Sequence, residues 1–240
     1  LGRVARGELD AAEQRAIGFP WSERMVARSR QSSGATLAAA REALTRGWSA
    51  NLAGGTHHAF RDRGEGFCVF NDAAIAARAM QEEAGLARVA IIDCDVHQGN
   101  GTAAIFRGDE SVFTFSIHGA RNFPFTKEAS DLDIELADAT GDDEYLWHLE
   151  RGLDETLERS RPQLAIYLAG ADPYEDDRLG RLKLTKEGLA RRDRLVLGTL
   201  HARGIPVAIA MAGGYARDID DSVAIHAETL AIARETWRDS

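Results

Sequence analysis

The chain has 240 residues, of which 44% are hydrophobic and 28% charged, and this composition is typical of one globular domain. Its formal net charge of −9 argues against nucleic-acid binding, and no apolar run reaches the roughly 20 residues that span a bilayer. Two cysteines, Cys68 and Cys94, cannot form a disulfide framework, which favours a reducing compartment such as the cytoplasm.

Short β-prone runs alternate with helical patterns along the chain, and no linker or repeat divides it, so we expect residues 1–240 to form one domain. Such alternation predicts an α/β fold in three layers, with helices on both faces of a predominantly parallel sheet. In chain order we expect a helix at 21–47 with a break near 32–34, a strand at 49–55, a helix at 71–85, a strand at 88–93, a short helix from about 101, a strand at 111–118, a helix at 142–160, a strand at 163–170, a helix at 185–204, a strand at 205–214 and a helix at 220–235.

Each predicted strand runs into a segment of polar residues and glycines. Because ligands bind at the carboxyl ends of the strands in an open α/β sheet, these segments should meet at one edge. We therefore predict the functional site there, built from GGTHHA (54–59), DCDVHQGNG (93–101), SIHG (116–119), AGADPYEDD (169–177) and AGGYA (212–216).

A metal site is the first chemical prediction. Asp93, Asp95 and His97 are spaced two apart, so on a strand they would project to the same face. Buried carboxylates are costly unless their charge is compensated, and a divalent cation would compensate it. Asp172 follows another core strand and completes a set with Asp95 and His97. A single carboxylate here would be better explained as a helix cap, but together the three suit Zn²⁺, with Fe²⁺, Co²⁺ or Mn²⁺ as alternatives.

The tandem pair His57 and His58 follows two glycines, which let the backbone turn so that both rings reach one cavity. This favours general acid–base catalysis over two solvated loop histidines. Asp93 could hold one of these imidazoles in its tautomer, and Asn100 could accept a hydrogen bond from the other.

Three aromatic residues lie in the same segments or near them. Tyr215 could donate a hydrogen bond to an oxyanion at this edge, although a packed aromatic is the simpler interpretation of a lone tyrosine. Phe67 and Phe123 could line an apolar entrance, and core packing explains them equally well. The remaining histidines and both cysteines are interpreted as structural residues: His118, His148, His201, His226, Cys68 and Cys94.

These motifs, in this order and spacing, resemble the histone deacetylase superfamily, and the stretches 141–157 and 169–193 are most similar to class IV deacetylases and their bacterial relatives. The resemblance covers residues 18–232. It rests on GGTHHA, GFCVFND, DCDVHQGNG, SIHG, AGAD and AGGY.

The resemblance implies an arginase-like α/β fold and zinc-dependent hydrolysis of N-acyl-lysine. It also assigns site residues. Asp95, His97 and Asp172 match the zinc ligands, His57 and His58 the catalytic histidines, Tyr215 the tyrosine that polarises the carbonyl, Asp93 the carboxylate behind the first histidine, and Phe67 and Phe123 the walls of the acyl-lysine channel. The family also often binds a monovalent cation, expected to be K⁺, at the positions of Asp93, Asp95, His97, Ser116 and Ile117.

Two departures from the family pattern matter. Asn100 stands where many members have a second aspartate, and a neutral amide raises the pKa of its histidine less, which leaves the roles of His57 and His58 open, with His58 favoured as the base. Family members also carry a strand and a helix before the equivalent of Leu1. Without them, an open sheet edge would invite pairing with another chain, so an oligomer is one expectation.

Two alternatives to a lysine deacylase remain. The same site would serve an amidohydrolase acting on acetylpolyamines or other small amines. A binder of acyl-lysine without turnover is less consistent with the sequence, because such a protein would be expected to lose a metal ligand or Tyr215, and the chain keeps them.

Overall fold

A computed structural model describes residues 2–238, and within that range the chain forms eight helices and six strands. The helices are α1 (Gly2–Arg6), α2 (Ala11–Ile17), α3 (Glu23–Arg46), α4 (Asp72–Ala84), α5 (Asn100–Phe106), α6 (Asp142–Ser160), α7 (Lys186–Ala202) and α8 (Ile219–Thr236). The strands are β1 (Trp48–Asn51), β2 (Val89–Asp93), β3 (Val112–Gly119), β4 (Leu132–Leu136), β5 (Leu164–Leu168) and β6 (Val207–Ala210).

The six strands form one sheet in the order β1-β6-β5-β2-β3-β4, and every neighbouring pair is parallel. From β2 the chain moves one way to β3 and β4, and then crosses back to place β5 on the other side of β2. The pairs Asp93–Ser116 and Asp93–Leu168 put the carboxyl ends of β2, β3 and β5 side by side. An opening between such diverging connections is where α/β sheets bind ligands.

Both faces of the sheet are covered, because the strand residues alternate between two apolar cores. Ile91 packs with small residues of α3 and α4, whereas its neighbour Ile92 packs with leucines of α6 and α7. Strands that are buried on both faces have nearly continuous apolar sequences, and β2 (VAIID) and β5 (LAIYL) are examples. The predicted three-layer α/β fold is therefore confirmed, and its sheet is entirely parallel among the described strands.

Several element predictions need correction. α3 runs unbroken through residues 32–34, because Ser33 is buried in its packed face and tertiary packing outweighs weak helix propensity. β1 and β6 are shorter than predicted, since the glycines that follow them leave the ladder. The edge strand β4 and the helices α1 and α2 were not predicted. α2 nevertheless has a recognisable signature, a capping box formed by Asp10 and Glu13.

Gly152 gives a test of this packing. It lies inside α6, where a Cβ atom would stand 2.7 Å from both Phe115 and Ile134 of the sheet. We expect Gly152→Ala to lower the free energy of unfolding by about 1–3 kcal/mol, because overpacking outweighs the better helix propensity of alanine. Urea unfolding measures this change.

The matched control is Gly198→Ala in α7, where an added Cβ would meet no atom within 4 Å beyond the adjoining backbone of its own helix. Here only helix propensity changes, and we expect the free energy of unfolding to rise by about 0.5–1 kcal/mol. If the two substitutions change stability in the same direction, the proposed contact between α6 and the sheet is wrong.

Candidate active site

Asp95, His97 and Asp172 lie together, each offering one ligand atom within 4.8 Å of the others. Nδ1 of His97 is 2.9 Å from Oδ1 of Asp95 and 3.3 Å from Oδ2 of Asp172. The second oxygen of each carboxylate is held by the backbone. The N–H of Val96 donates to Oδ1 of Asp172 at 2.8 Å, and that of Gly213 donates to Oδ2 of Asp95 at 2.9 Å. The remaining oxygens are therefore turned towards His97.

This donor set fits a divalent cation. Asp95 and Asp172 are both buried, and Oδ2 of Asp172 has no hydrogen-bond partner among the described residues. Burial lowers the pKa of His97, but Asp172 and Asp95 outweigh it and raise that pKa to about 11. Burial and the charge of Asp95 raise the pKa of Asp172 to about 7. The group thus demands positive charge, and two carboxylates with one imidazole are typical zinc ligands.

The backbone around the metal site is also close-packed. A Cβ atom at Gly213 would stand 2.1 Å from Oδ2 of Asp172 and 2.7 Å from Oδ2 of Asp95. Only glycine allows the loop after β6 to approach the two carboxylates this closely. The strand β2 ends at Asp93, so the loop, rather than the pleat of a strand, brings Asp95 and His97 together. That detail corrects the spacing argument made from the sequence.

The tandem histidines border the same site, with ring centroids 4.1 Å apart. Nδ1 of His57 is 2.6 Å from Oδ2 of Asp93, and Nδ1 of His58 is 2.7 Å from Oδ1 of Asn100. The Nε2 atom of His57 lies 3.8 Å from Oδ1 of Asp95 and so faces the metal ligands. The amide oxygen of Asn100 only accepts hydrogen bonds, so Nδ1 of His58 carries a hydrogen and the neutral ring keeps a free lone pair on Nε2.

The two histidines differ in charge because their partners differ. Burial lowers the pKa of His57, but Asp93 and Asp95 reverse that effect and raise the pKa to about 9. Burial and the neighbouring charge of His57 hold the pKa of His58 well below its ordinary value, and Asn100 opposes them only in part. At neutral pH the tandem pair therefore consists of one imidazolium, His57, and one neutral imidazole, His58.

Tyr215 follows Gly213 on the loop after β6, and 42% of its surface is exposed. Its backbone N–H donates to Oδ2 of Asp177 at 2.6 Å. Burial, followed by the charges of Asp172 and Asp95, raises the pKa of the phenol to about 12. Tyr215 is therefore a protonated donor within the electrostatic field of the two carboxylates.

The two predicted channel residues both border this site. The ring of Phe67 is 6.5 Å from that of Tyr215, and the ring of Phe123 is 4.9 Å from that of His58. Phe67 is 53% exposed and has a positive φ of 65°, and its backbone N–H donates to the carbonyl of Ile17 at 2.8 Å. The end of α2, which was not predicted, thus holds the backbone of Phe67 in place.

The positions predicted for a monovalent cation cluster at the ends of β2 and β3. Asp93 pairs with Ser116 in the sheet, and Ile117 is buried next to Ser116. Oδ1 of Asp93 accepts the N–H of Asp95 at 3.1 Å, and Oγ of Ser116 contacts Nδ1 of His118 at 2.8 Å. The cation itself stays a prediction.

Both cysteines are unpaired and buried, and burial raises their thiol pKa values, that of Cys94 to about 12. Neither is suited to act as a nucleophile. None of the helices between residues 2 and 238 combines the length and apolar character that a bilayer crossing requires.

The model of the histone deacetylase domain matches residues 4–230. The chain belongs to the histone deacetylase family. It is 47% identical to an uncharacterised protein of Picosynechococcus over 97% of this chain and 77% of that protein. It is 36% identical to histone deacetylase 2 of Arabidopsis thaliana, covering 81% of this chain and 52% of that protein.

Solved structures agree with this family membership. The crystal structure of acetylpolyamine aminohydrolase from Burkholderia pseudomallei matches with a TM-score of 0.72 and 28% identity, covering 85% of this chain and 62% of that one. The chain thus spans about half to three quarters of the length of these relatives. The predicted family and fold are confirmed, and the membership supports a hydrolase activity.

Sequence reasoning missed a buried arginine that supports the metal site. Arg192 of α7 donates from Nη1 to the carbonyl of Gly170 at 2.5 Å and from Nε to Oδ1 of Asp193 at 2.9 Å. Gly170 stands two residues before Asp172, so this contact fixes the start of the ligand-bearing loop. The run LARRDRL gives no signal that its second arginine is buried.

Removal of a ligand tests the metal site. Asp172→Ala removes Oδ2, which accepts no hydrogen bond from any described residue. We expect zinc to bind at least about 100-fold more weakly, since even the mutation of residues that only support metal ligands lowers metal affinity 10–100-fold. Elemental analysis after dialysis against a competing chelator measures the loss.

Asp176→Ala is the control, because Asp176 lies on the same loop and pairs with exposed Arg217 at 3.0 Å. That variant should keep a full complement of zinc. Stoichiometric zinc in Asp172→Ala would remove Asp172 from the ligand set.

Proposed function

We propose that the protein is a zinc-dependent amidohydrolase that removes acetyl or longer acyl groups from N-acyl-lysine in peptides or proteins. One observation carries this proposal: a donor set of two carboxylates and one imidazole lies beside two histidines whose Nδ1 atoms are both held. This arrangement supplies a metal site, a base and an acid within one edge of the sheet. Such a combination suits hydrolysis of an amide.

The residues would divide the work as follows. A divalent cation bound by Asp95, His97 and Asp172 would supply Lewis acidity, which lowers the pKa of a water towards about 7 and polarises an acyl oxygen. His58 would accept the proton of the attacking water at Nε2, because its Nδ1 hydrogen is donated to Asn100.

His57 and Tyr215 would serve the later part of the reaction. Asp93 stabilises the imidazolium of His57, so His57 keeps a proton that it can give to the departing lysine amine. The phenol of Tyr215 would donate a hydrogen bond to the oxyanion that forms at the acyl carbon, and a donor of this kind is typically worth about 10²–10³ in rate.

Acylated peptides are favoured over acetylpolyamines because the carboxylates near Tyr215 are already engaged with other groups. A small amine with a second positive charge needs an available carboxylate at the entrance. Asp177 is buried and already accepts the backbone N–H groups of Tyr215, Leu179 and Gly180, and Asp176 pairs with Arg217. The likeness to an acetylpolyamine aminohydrolase keeps the small-amine alternative as the second candidate.

A cellular compartment and a second cation are also proposed. The cytoplasm is proposed because both cysteines are unpaired. K⁺ is proposed as a second cation because Asp93 and Ser116 are partners in the sheet. The residues around this cation would be Asp93, Asp95, His97, Ser116 and Ile117.

A substrate panel tests the proposed function. The zinc-loaded protein should hydrolyse acetyl-lysine or longer acyl-lysine peptides with a higher kcat/KM than acetylpolyamines, and stripping the metal should abolish turnover. Tyr215→Phe should lower kcat by about 10²–10³-fold while its zinc content stays unchanged. Steady-state kinetics with parallel elemental analysis measures both effects.

Tyr174→Phe is the control, because that phenol contacts Asp221 at 3.3 Å and has no role in the proposed site. It should behave as the wild type. Activity that survives complete removal of metal would overturn the proposal, and a preference for acetylpolyamines would favour the second candidate.

Asn100→Asp tests the division of labour between the histidines. A carboxylate 2.7 Å from Nδ1 would stabilise the imidazolium and raise the pKa of His58 from its depressed value. His58 must be neutral to act as a base, so the acidic limb of the profile of kcat/KM against pH should move to higher pH. An unchanged acidic limb would mean that His58 is not the base.

A further inference from the structure

The loop that carries the tandem histidines is anchored by a buried carboxylate outside the site. Asp72 is the first residue of α4, and none of its surface is exposed. We propose that Asp72 is a positioning residue that sets the geometry of His57 and His58. The expected effect on turnover rests on the proposed function, whereas the structural part of the inference can be measured without it.

Both oxygens of Asp72 are occupied, and most of their donors come from the two residues before His57. Oδ1 accepts the backbone N–H of Thr56 at 2.7 Å and lies 2.7 Å from its hydroxyl, whose single hydrogen is shared with the carbonyl of Phe70 at 2.6 Å. Oδ2 accepts the backbone N–H of Gly55 at 3.0 Å and the hydroxyl of Thr36 at 2.6 Å. A carboxylate at the start of a helix is further stabilised by the helix dipole.

The loop needs such an anchor because it is built on two glycines. Gly54 and Gly55 have φ values of 87° and 71°, and a Cβ atom at Gly55 would stand 2.3 Å from Cα of Ala212. The close approach to the loop after β6 therefore requires glycine. Two consecutive glycines carry a large conformational entropy when unrestrained, so side chains outside the loop must fix its path.

The restraint reaches the catalytic rings through the backbone. On the far side of Thr56, the carbonyl of His57 accepts the N–H of Thr102 at 3.1 Å and Nδ2 of Asn71 at 3.4 Å. The main chain is thus held both before and after His57. The rings then reach their own partners, which fix them at Nδ1. Asp72 touches neither ring, so it acts through the loop.

The test is Asp72→Asn. An amide replaces one acceptor oxygen by an NH₂ group, which would face either the N–H of Thr56 or that of Gly55 and leave that donor unpaired. We expect kcat to fall by about 10²-fold, the typical cost of displacing a catalytic group by about 1 Å. KM and zinc content should stay near wild type, because the metal ligands lie on other loops.

Thr36→Val is the matched control. Thr36 is as buried as Asp72, and its loss removes one of the four bonds to the carboxylate and the bond from Nδ2 of Asn51, while it leaves the three contacts between Asp72 and the loop. It should lower Tm but keep kcat. Thr56→Ser should also keep kcat, because the hydroxyl remains. Thr56→Val removes the hydroxyl and should lower kcat in part.

A second measurement does not depend on turnover. The 2.6 Å contact between His57 and Asp93 should give a downfield, slowly exchanging Nδ1 proton in the NMR spectrum of the wild type. Asp72→Asn should broaden or abolish this signal, and Thr36→Val should keep it. If the wild type hydrolyses no acylated amine, the proposed function fails while this signal still decides the role of Asp72.

Two results would overturn the inference. In the first, Asp72→Asn keeps both kcat and the His57 proton signal. In the second, Thr36→Val loses as much kcat or signal as Asp72→Asn at an equal loss of Tm, which would mean that Asp72 is merely structural.

Discussion

The repulsion between two buried carboxylates, Asp95 and Asp172, is the constraint on which the rest of the site depends. Parallel pairing of β2 with β5 places the two loops that carry them next to each other. Backbone N–H groups hold Oδ1 of Asp172 and both oxygens of Asp95, and these bonds direct Oδ2 of Asp172 and Oδ1 of Asp95 at the same small volume beside His97. Charges this close in a low-dielectric interior are stable only with a positive partner. His97 responds with a raised pKa, and a divalent cation would satisfy the same demand.

The groups that would perform the chemistry lie on loops, and buried side chains outside the site fix these loops. Asp177 accepts three backbone N–H groups around Tyr215, and Arg192 holds the carbonyl of Gly170. Asp72 accepts the backbone N–H groups of Gly55 and Thr56, which precede the tandem histidines. Each of these residues replaces bonds that a longer strand would have made, because the short strands β1, β5 and β6 end before the site. Precision thus comes from hydrogen bonds between distant parts of the sequence.

Features that depend on neighbouring residues could be predicted from the sequence, whereas features that depend on contacts between distant segments could not. Alternating patterns identified five strands, and local motifs predicted the candidate metal ligands and the two histidines that the structure brings together, because each motif spans only a few residues. β4 was missed because LDIEL is a partly exposed edge strand with two acidic residues. Arg192 could not be told from Arg191 and Arg194, whose side chains are 47% and 51% exposed while its own is fully buried. Only tertiary packing distinguishes the three.

A balance of charges accounts for the neutral residue behind the second histidine. Among the described residues, Asp93, Asp95 and Asp172 are the three carboxylates in contact with the side chains proposed to be catalytic or metal-binding. A divalent cation and the imidazolium of His57 together neutralise three negative charges, with none left over for His58. A carboxylate in place of Asn100 would add a fourth charge to a buried site, and protonation of His58 would be the simplest compensation. An amide holds the ring in the same orientation without that charge, so the choice of asparagine keeps His58 neutral and available as a base.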